Sequence, residues 1–212
     1  MTTDGVPVGS IVEWAVAGRA LGEPGETNES GDIEVVVPFP DGILIGVIDG
    51  LGHGTEAAHA ARTAARVLTE HAAEPVLDLV RRCHDSLRKT RGAVMTLASL
   101  NGVESSITWT AVGNVEGVLM RAHPTADSRH EAVSARGGIV GYQLPPLRAS
   151  SLSVTRGDTL VMATDGIRSG FTAGVNLHHG PREIAESILS LHSRGTDDSL
   201  VLVAQYLGID GE

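Results

Sequence analysis

The feature that most constrains this chain is an apolar segment that ends in a carboxylate and a glycine-rich turn. Residues 43–48 are apolar and predict a buried strand, and Asp49 follows them directly. Gly50, Gly52 and Gly54 take every second position of the turn, and a long alanine-rich segment of helical character comes next. Glycine permits backbone angles that other residues avoid and lets a ligand approach the main chain. The segment therefore predicts a carboxylate presented at the end of a sheet.

Three interpretations of this turn compete. A glycine-rich turn before a helix can bind phosphate through its N–H groups, but the chain has no GxxxxGK[ST] motif, so a nucleotide-binding P-loop is not supported. The acid in front of the turn indicates a metal ion as the positive partner instead. The third interpretation is a tight turn with an incidental aspartate, because Asp-Gly is a very common turn dipeptide.

The composition limits the class of protein. Of the 212 residues, 42% are hydrophobic and 20% are charged, which is typical of a soluble globular protein. We expect one domain over residues 1–212, with its core in residues 10–208. The net charge of −10 argues against a nucleic-acid partner, which would require clustered lysine and arginine. The same charge is compatible with a cluster of acids that binds cations.

The cysteine count and the lack of long apolar runs suggest a location. Cys83 is the single cysteine, which excludes an internal disulfide and fits a reducing compartment. No apolar run approaches the roughly 20 residues that span a bilayer. Residues 1–5 do not resemble the start of a signal peptide. We therefore expect a cytoplasmic protein that does not associate with a membrane.

The spacing of apolar residues predicts the order of the elements. Helices are expected at 55–72, from Pro75 onward and at 181–192, and strands at 11–17, 33–37, 43–48, 94–100, 105–112, 115–122, 131–135, 150–154, 159–164 and 199–206. The second and third strands predict a hairpin, and the three strands of residues 94–122 predict an antiparallel meander. An early pair of helices and one late helix surround a block of antiparallel strands. This order predicts an α+β fold with helices outside an antiparallel sheet or sheet pair.

Aspartates at four places share one context, at a strand end or beside a glycine. They are Asp32, Asp49, Asp165 and the pair Asp197–Asp198. If the strand ends converge, these carboxylates meet at one edge and repel one another. Oxygen ligands select Mg²⁺, Mn²⁺ or Ca²⁺ over zinc. Two such ions sharing one aspartate would polarise a water for attack on a phosphoryl group. Alternatively, each acid is a turn residue scattered over the surface.

These motifs, taken in order, resemble those of the metal-dependent protein phosphatases (PPM), most closely the bacterial branch typified by SpoIIE and RsbU. The short length and Arg91-Gly92-Ala93 resemble the RsbX-like serine phosphatases, which reset the stressosome. The resemblance extends from about residue 31 to residue 207. The motifs are Gly31-Asp32, the turn at 49–54, Gly113-Asn114, Asp165-Gly166 and Asp197-Asp198.

The resemblance implies an αββα sandwich of two antiparallel sheets with two Mn²⁺ or Mg²⁺ ions at one end. It implies that Asp49 bridges both ions and that Gly50 lends its carbonyl. Asp32 would bind one ion. Asp165 and Asp197 would bind the other, with Asp198 as a further candidate ligand. A metal-bound hydroxide would then attack the phosphorus of phosphoserine or phosphothreonine in line, with these aspartates as the catalytic set.

Two departures from the family bear on phosphate binding. Many members carry a phosphate-binding arginine shortly before the first acid, but residues 23–30 contain no basic residue here. Either the metals hold the phosphate alone, or an arginine from elsewhere reaches the site. His53 is a candidate general acid, although the helix dipole disfavours a cation at a helix start and so weakens it as a donor. Otherwise His53 shapes the turn.

The sequence thus supports three functional hypotheses. The first is a phosphatase that acts on phosphorylated stressosome or anti-sigma-antagonist (STAS-domain) proteins, as a monomer or weak dimer. The second is a catalytically weak binding module of the same fold that sequesters a phosphoprotein. The third is a hydrolase of small phosphoesters.

Overall fold

The computed structural model describes residues 2–5, 11–21, 29–125 and 128–208. No helix in these ranges has the length and apolarity that crossing a bilayer requires. The elements, in chain order, are β1 (Thr2–Gly5), β2 (Val12–Arg19), β3 (Asp32–Phe39), β4 (Gly42–Gly50), α1 (Thr55–Glu70), α2 (Val76–Leu87), β5 (Ala93–Asn101), β6 (Ser106–Val112), β7 (Glu116–Thr125), β8 (Ser128–Ala132), β9 (Ser150–Ser153), β10 (Thr159–Ala163), α3 (Pro181–His192) and β11 (Ser199–Tyr206).

Two antiparallel sheets pack face to face between layers of helices. The six-stranded sheet has the order β1-β2-β11-β10-β7-β8, and the five-stranded sheet has the order β3-β4-β5-β6-β9. Helices α1 and α2 cover the outer face of the five-stranded sheet, and α3 covers the outer face of the six-stranded sheet. The predicted αββα sandwich of the α+β class is confirmed.

The apolar run that predicted a buried strand corresponds to β4, which is covered on both faces. Ile43, Ile45 and Val47 pack into the core between the sheets. Leu44 and Ile48 point the other way, into the core beneath α1 and α2. Because successive side chains alternate between the faces of a strand, a strand covered on both sides needs apolar residues at every position.

Helices α1 and α2 bury apolar faces at helical spacing, whereas α3 buries Ile184 and Ile188 and leaves Leu191 exposed. The buried face of α1 consists largely of alanines, which lets the helix approach the sheet closely. Pro75 is the N-cap of α2 rather than its first helical residue. Cys83 is completely buried on α2, and this burial raises the pKa of its thiol to about 12. The thiol is therefore an inert part of the core.

The predicted meander of residues 94–122 is wrong in its last strand. β5 and β6 pair with each other in the five-stranded sheet, but β7 pairs with β10 and β8 in the six-stranded sheet. The turn at Gly113–Asn114 therefore carries the chain from one sheet to the other. A two-residue turn between strands of period two is compatible with either arrangement, because both strands contribute a face to the same inter-sheet core. The predicted hairpin of β3 and β4 is confirmed.

We expect Leu44→Ala to lower the free energy of unfolding by about 2–5 kcal/mol, because it leaves a cavity between β4 and the helices. The matched control is Leu191→Ala on α3, whose side chain is 68% exposed. We expect that change to stay within about 0.5 kcal/mol. Urea unfolding of both variants measures the difference, and equal losses would contradict this description of the core.

Candidate metal centre

The ends of four strands bring five carboxylates together at one end of the sandwich. Asp32 begins β3 and lies directly opposite Asp49 near the end of β4. Asp165 follows β10, and Asp197 and Asp198 precede β11. Across the sandwich, β3 contacts β11 and β4 contacts β10. The four sequence positions predicted to converge therefore do lie at the same end of the two sheets.

Asp49 faces the gap between the sheets because of its register in β4. It lies two residues after Val47, which packs into the inter-sheet core, and side chains two residues apart share a face. Asp32 is its cross-strand partner and lies on the same face. Both carboxylates therefore extend the inner face of the five-stranded sheet beyond its apolar part.

Both Asp-Gly pairs are explained by close packing of the main chain. A Cβ on Gly50 would overlap the carbonyl oxygen of Ala57 in the first turn of α1. A Cβ on Gly166 would overlap the carbonyl oxygen of Asp198. In both places only glycine lets the neighbouring backbone come this close. The glycines thereby set the positions of the two aspartates that precede them.

Thr164 holds Asp32 in place across the two sheets. Its hydroxyl donates to Oδ2 of Asp32 at 2.7 Å and accepts the N–H of Leu200 at 2.9 Å. Thr164 is almost completely buried. Thr164 is not among the site residues predicted from the sequence. Its signal was a hydroxyl residue at the end of an apolar run, immediately before Asp165.

Asp198 and Asp197 have different environments. Asp198 is buried, and its two carboxylate oxygens accept the N–H groups of Leu21 and Gly31, each at 2.7 Å. Asp197 is exposed, and its Oδ1 accepts the N–H of Asp198 at 2.9 Å. Asp198 therefore ties two distant parts of the chain to the start of β11, whereas Asp197 remains open to solvent.

Asn114 orients Asp165. Its side-chain Nδ2 donates to Oδ2 of Asp165 at 2.7 Å. The turn at Gly113–Asn114, where the chain changes sheet, thus places the side-chain amide of Asn114 at the edge of the candidate site. Gly113-Asn114 is one of the family motifs, but no site role for Asn114 is predicted from the sequence.

Two of the carboxylates, those of Asp32 and Asp49, have raised pKa values. Burial, and then the neighbouring Asp49 carboxylate, raise the pKa of Asp32 to about 8. Burial, followed by the charges of Asp165, Asp197 and Asp198, raises the pKa of Asp49 to about 7. Among the residues that the structure describes, no ion pair reaches any of these five side chains. Their negative charge is therefore not neutralised by a protein cation.

The donor set suits hard divalent cations, because it consists of carboxylate and carbonyl oxygens. As they stand, no three acidic, histidine or cysteine side chains of the described ranges converge closely enough to enclose one ion. Mutual repulsion of neighbouring carboxylates favours such spreading, and a cation placed between them would reverse it. The Gly50 carbonyl oxygen lies against Gly31 at the same end of the hairpin.

A basic residue next to the glycine turn is Arg91, which lies two residues before β5. One nitrogen of its guanidinium lies 2.7 Å from where a Cβ on Gly52 would stand, and the group pairs with Glu56 of α1. His53 is exposed in the turn. Most of the segment expected to lack a phosphate-binding arginine, residues 23–28, lies outside the described residues.

Comparisons with known proteins agree with this geometry. Residues 40–207 match the sequence profile of the family described as stage II sporulation protein E (SpoIIE). The phosphoserine phosphatase RsbX of Bacillus subtilis (strain 168) is 23% identical over 168 residues, which cover 77% of this chain and 80% of RsbX. A crystal structure of RsbX in complex with magnesium superposes with a TM-score of 0.79 at 18% identity, covering 97% of this chain and 99% of that one.

Two further solved structures share the fold. A structure described as "The bacterial stressosome: a modular system that has been adapted to control secondary messenger signaling" has a TM-score of 0.80 at 29% identity, covering 92% of this chain and 99% of that chain. The catalytic domain of the serine/threonine phosphatase PstP with two manganese ions has a TM-score of 0.64 at 17% identity. The match covers 92% of this chain and 98% of that chain. The family match spans well over half of the chain. This chain therefore belongs to the SpoIIE family, a branch of the PPM-type serine/threonine phosphatases related to RsbX.

Proposed function

We propose that this chain is a divalent-metal-dependent phosphatase that removes phosphate from phosphoserine or phosphothreonine in a protein substrate. One observation carries this proposal. Asp32, Asp49, Asp165 and Asp197 gather at one end of the sandwich, and no lysine or arginine of the described residues pairs with them. Neighbouring carboxylates repel one another and so destabilise a fold, but their oxygens bind divalent cations well.

In this proposal Asp49 would be the ligand that the metal ions share, and the Gly50 carbonyl would assist it. Asp32 would hold one ion, and Asp165 and Asp197 would hold the other. The exposure of Asp197 supports its role as a ligand, whereas the two N–H contacts of Asp198 suit a supporting position behind it. Two Mn²⁺ or Mg²⁺ ions are the proposed cofactors, in line with the ions bound by the structural relatives.

Several residues of the chain would orient these ligands. Thr164 holds Oδ2 of Asp32, so Oδ1 is the oxygen that would bind a cation. Asn114 holds Oδ2 of Asp165 in the same way. When bound, the divalent ions supply activation of a water molecule and neutralise charge on the phosphate oxygens. Hydrogen bonds that hold the ligands in one orientation before the ions arrive raise metal affinity.

The substrate in this proposal is a phosphoprotein of partner-switching signalling, such as a stressosome or STAS-domain protein. The site lies at an end of the sandwich where Asp165 and Asp197 are exposed. An exposed site is accessible to a phosphorylated residue on a folded protein surface. The relatedness to RsbX and the likeness to a stressosome structure support this class of substrate.

We expect Asp49→Asn to lower kcat/KM by roughly 100-fold or more, because it removes the shared metal ligand. The measurement is phosphate release from a phosphoserine-bearing STAS-domain protein and from p-nitrophenyl phosphate. Wild-type turnover should require Mn²⁺ or Mg²⁺ and stop with chelator.

The matched control is Asp41→Asn, in the exposed turn at the other end of the β3–β4 hairpin. It makes the same chemical change far from the site and should leave kcat/KM unchanged. If folded wild-type protein with Mn²⁺ releases no phosphate from either substrate, the phosphatase proposal is overturned and the binding-module hypothesis is favoured. Turnover of p-nitrophenyl phosphate alone would favour the small-ester hydrolase.

The raised pKa values predict how stability depends on pH. The folded protein holds protons on Asp32 and Asp49 up to pH about 8 and about 7, whereas an ordinary aspartate releases its proton near 3.8. The folded state binds more protons than the unfolded state in this window. Its stability therefore falls as pH rises from about 4 to about 8.

In the presence of chelator, we expect the free energy of unfolding to decrease between pH about 5.5 and about 8. Asp32→Asn/Asp49→Asn should flatten this decrease, and Asp41→Asn should not. Added Mn²⁺ should stabilise the wild type more at the upper end of the range, because deprotonated carboxylates bind it. Urea unfolding at several pH values tests this. If the free energy of unfolding of the double variant decreases with pH as steeply as that of the wild type, groups other than Asp32 and Asp49 cause the decrease.

A further inference from the structure

A short antiparallel bridge beside the candidate metal centre places two arginines on one exposed face. Ile167, just after the Asp165–Gly166 pair, lies opposite Ser193, just after α3. The N–H of Arg168 donates to the His192 carbonyl at 2.9 Å, and the N–H of Arg194 donates to the Gly166 carbonyl at 2.8 Å. This pattern fixes which side chains share a face.

Ile167 is buried against α3, and in an antiparallel pair the side chain of the next residue, Arg168, points to the opposite face. Arg168 and Arg194 are both on that outer face and both are exposed. As diagonal neighbours of an antiparallel pair, their backbones are about 7–8 Å apart. We call these two residues the arginine pair.

The arginine pair lies at the rim of the carboxylate site. Arg168 is three residues after Asp165, and Arg194 is three residues before Asp197. The Gly166 carbonyl that Arg194 contacts belongs to the residue directly after Asp165. The backbones of the two arginines therefore lie beside the site, on the side formed by β10 and β11.

Neither member of the arginine pair forms an ion pair within the described residues. The helical face over the five-stranded sheet is different, because its arginines are neutralised locally. Arg81 pairs with Asp78, Arg82 with Glu74 and Arg88 with Asp85. The pair at the rim thus presents two uncompensated positive charges in a chain whose net charge is −10.

We propose that the arginine pair binds acidic side chains that flank the phosphorylated residue of the protein substrate. A substrate phosphate positioned among the carboxylates would place the neighbouring residues of its chain over the rim. Two guanidinium groups are suited to carboxylates there, through charge-assisted hydrogen bonds. They would also offset the repulsion between an acidic substrate and the negative protein. This inference rests on the proposed function, because it assigns sequence specificity to the same site.

The test uses two fluorescent phosphoserine peptides, one with Asp and Glu around the phosphoserine and one with Asn and Gln in their place. Arg168→Ala/Arg194→Ala is compared with wild type and with Arg129→Ala/Arg156→Ala. The control removes the same charge from two exposed arginines at β8 and in the β9–β10 turn, away from the site. Both kcat/KM for each peptide and turnover of p-nitrophenyl phosphate are measured.

Wild type and the control should have a higher kcat/KM for the acidic peptide than for the neutral one. In the arginine-pair variant this ratio should be about tenfold lower. Turnover of p-nitrophenyl phosphate should stay the same in all three, and the preference should shrink as salt rises from about 50 to about 500 mM. If wild type shows no preference, or the control loses as much, the inference is wrong. An equal fall with p-nitrophenyl phosphate would also overturn it, because the arginines would then act at the phosphate or metal site.

A binding measurement separates this inference from the phosphatase proposal. With peptides that carry a non-hydrolysable phosphonate in place of the phosphoserine phosphate, fluorescence anisotropy with Mn²⁺ gives the Kd of both peptides without turnover. The arginine-pair variant should bind the acidic peptide about tenfold more weakly, with little change for the neutral peptide. If no protein shows turnover but this difference in Kd persists, the phosphatase proposal fails and the arginine pair remains a binding site for acidic segments. If the Kd values are equal, the inference fails regardless of activity.

Discussion

The register of β4 decides where the chemistry of this protein is located. Its odd positions face the other sheet and its even positions face α1 and α2, and both faces are fully packed. A slip of one residue would move every side chain to the opposite face and would turn Asp49 toward the helices. Because large apolar side chains on both faces oppose such a slip, the core that stabilises the fold also aims the central carboxylate into the gap between the sheets.

Much of this arrangement could be predicted from the sequence, because its signals are local. The apolar run of β4, the alanine face of α1 and the stripe of α2 each reflect one face packed against one neighbour. The aspartates were recognisable because strand ends and glycines accompany all of them. The same local signals could not reveal the crossover at Gly113–Asn114, since a hairpin and a change of sheet need the same turn and the same alternation.

What the sequence could not reveal depends on residues that are distant along the chain. Thr164 contacts Asp32 across 132 positions, and Asp198 contacts Gly31 across 167. No spacing rule links such partners. The arginine pair is a similar case, because a single bridge between the ends of β10 and α3 brings its members together. The candidate metal ligands can thus be predicted from the sequence, but the hydrogen-bond partners that hold them cannot. Those partners distinguish Asp198, which is buried, from Asp197, which is exposed.

The position of β11 in the six-stranded sheet has a consequence for the order of folding. β11 lies between β2 and β10, so β2 has no neighbour on its inner side until residues 199–206 are available. The five-stranded sheet needs nothing beyond residue 153. During synthesis, β3 to β6 can therefore pair first, while β2 waits for a strand that emerges much later. Asp197, Asp198 and the contacts that hold residues 21 and 31 arrive with that same strand. The carboxylate cluster is therefore completed only late, so a nascent chain that stops before β11 carries no complete site.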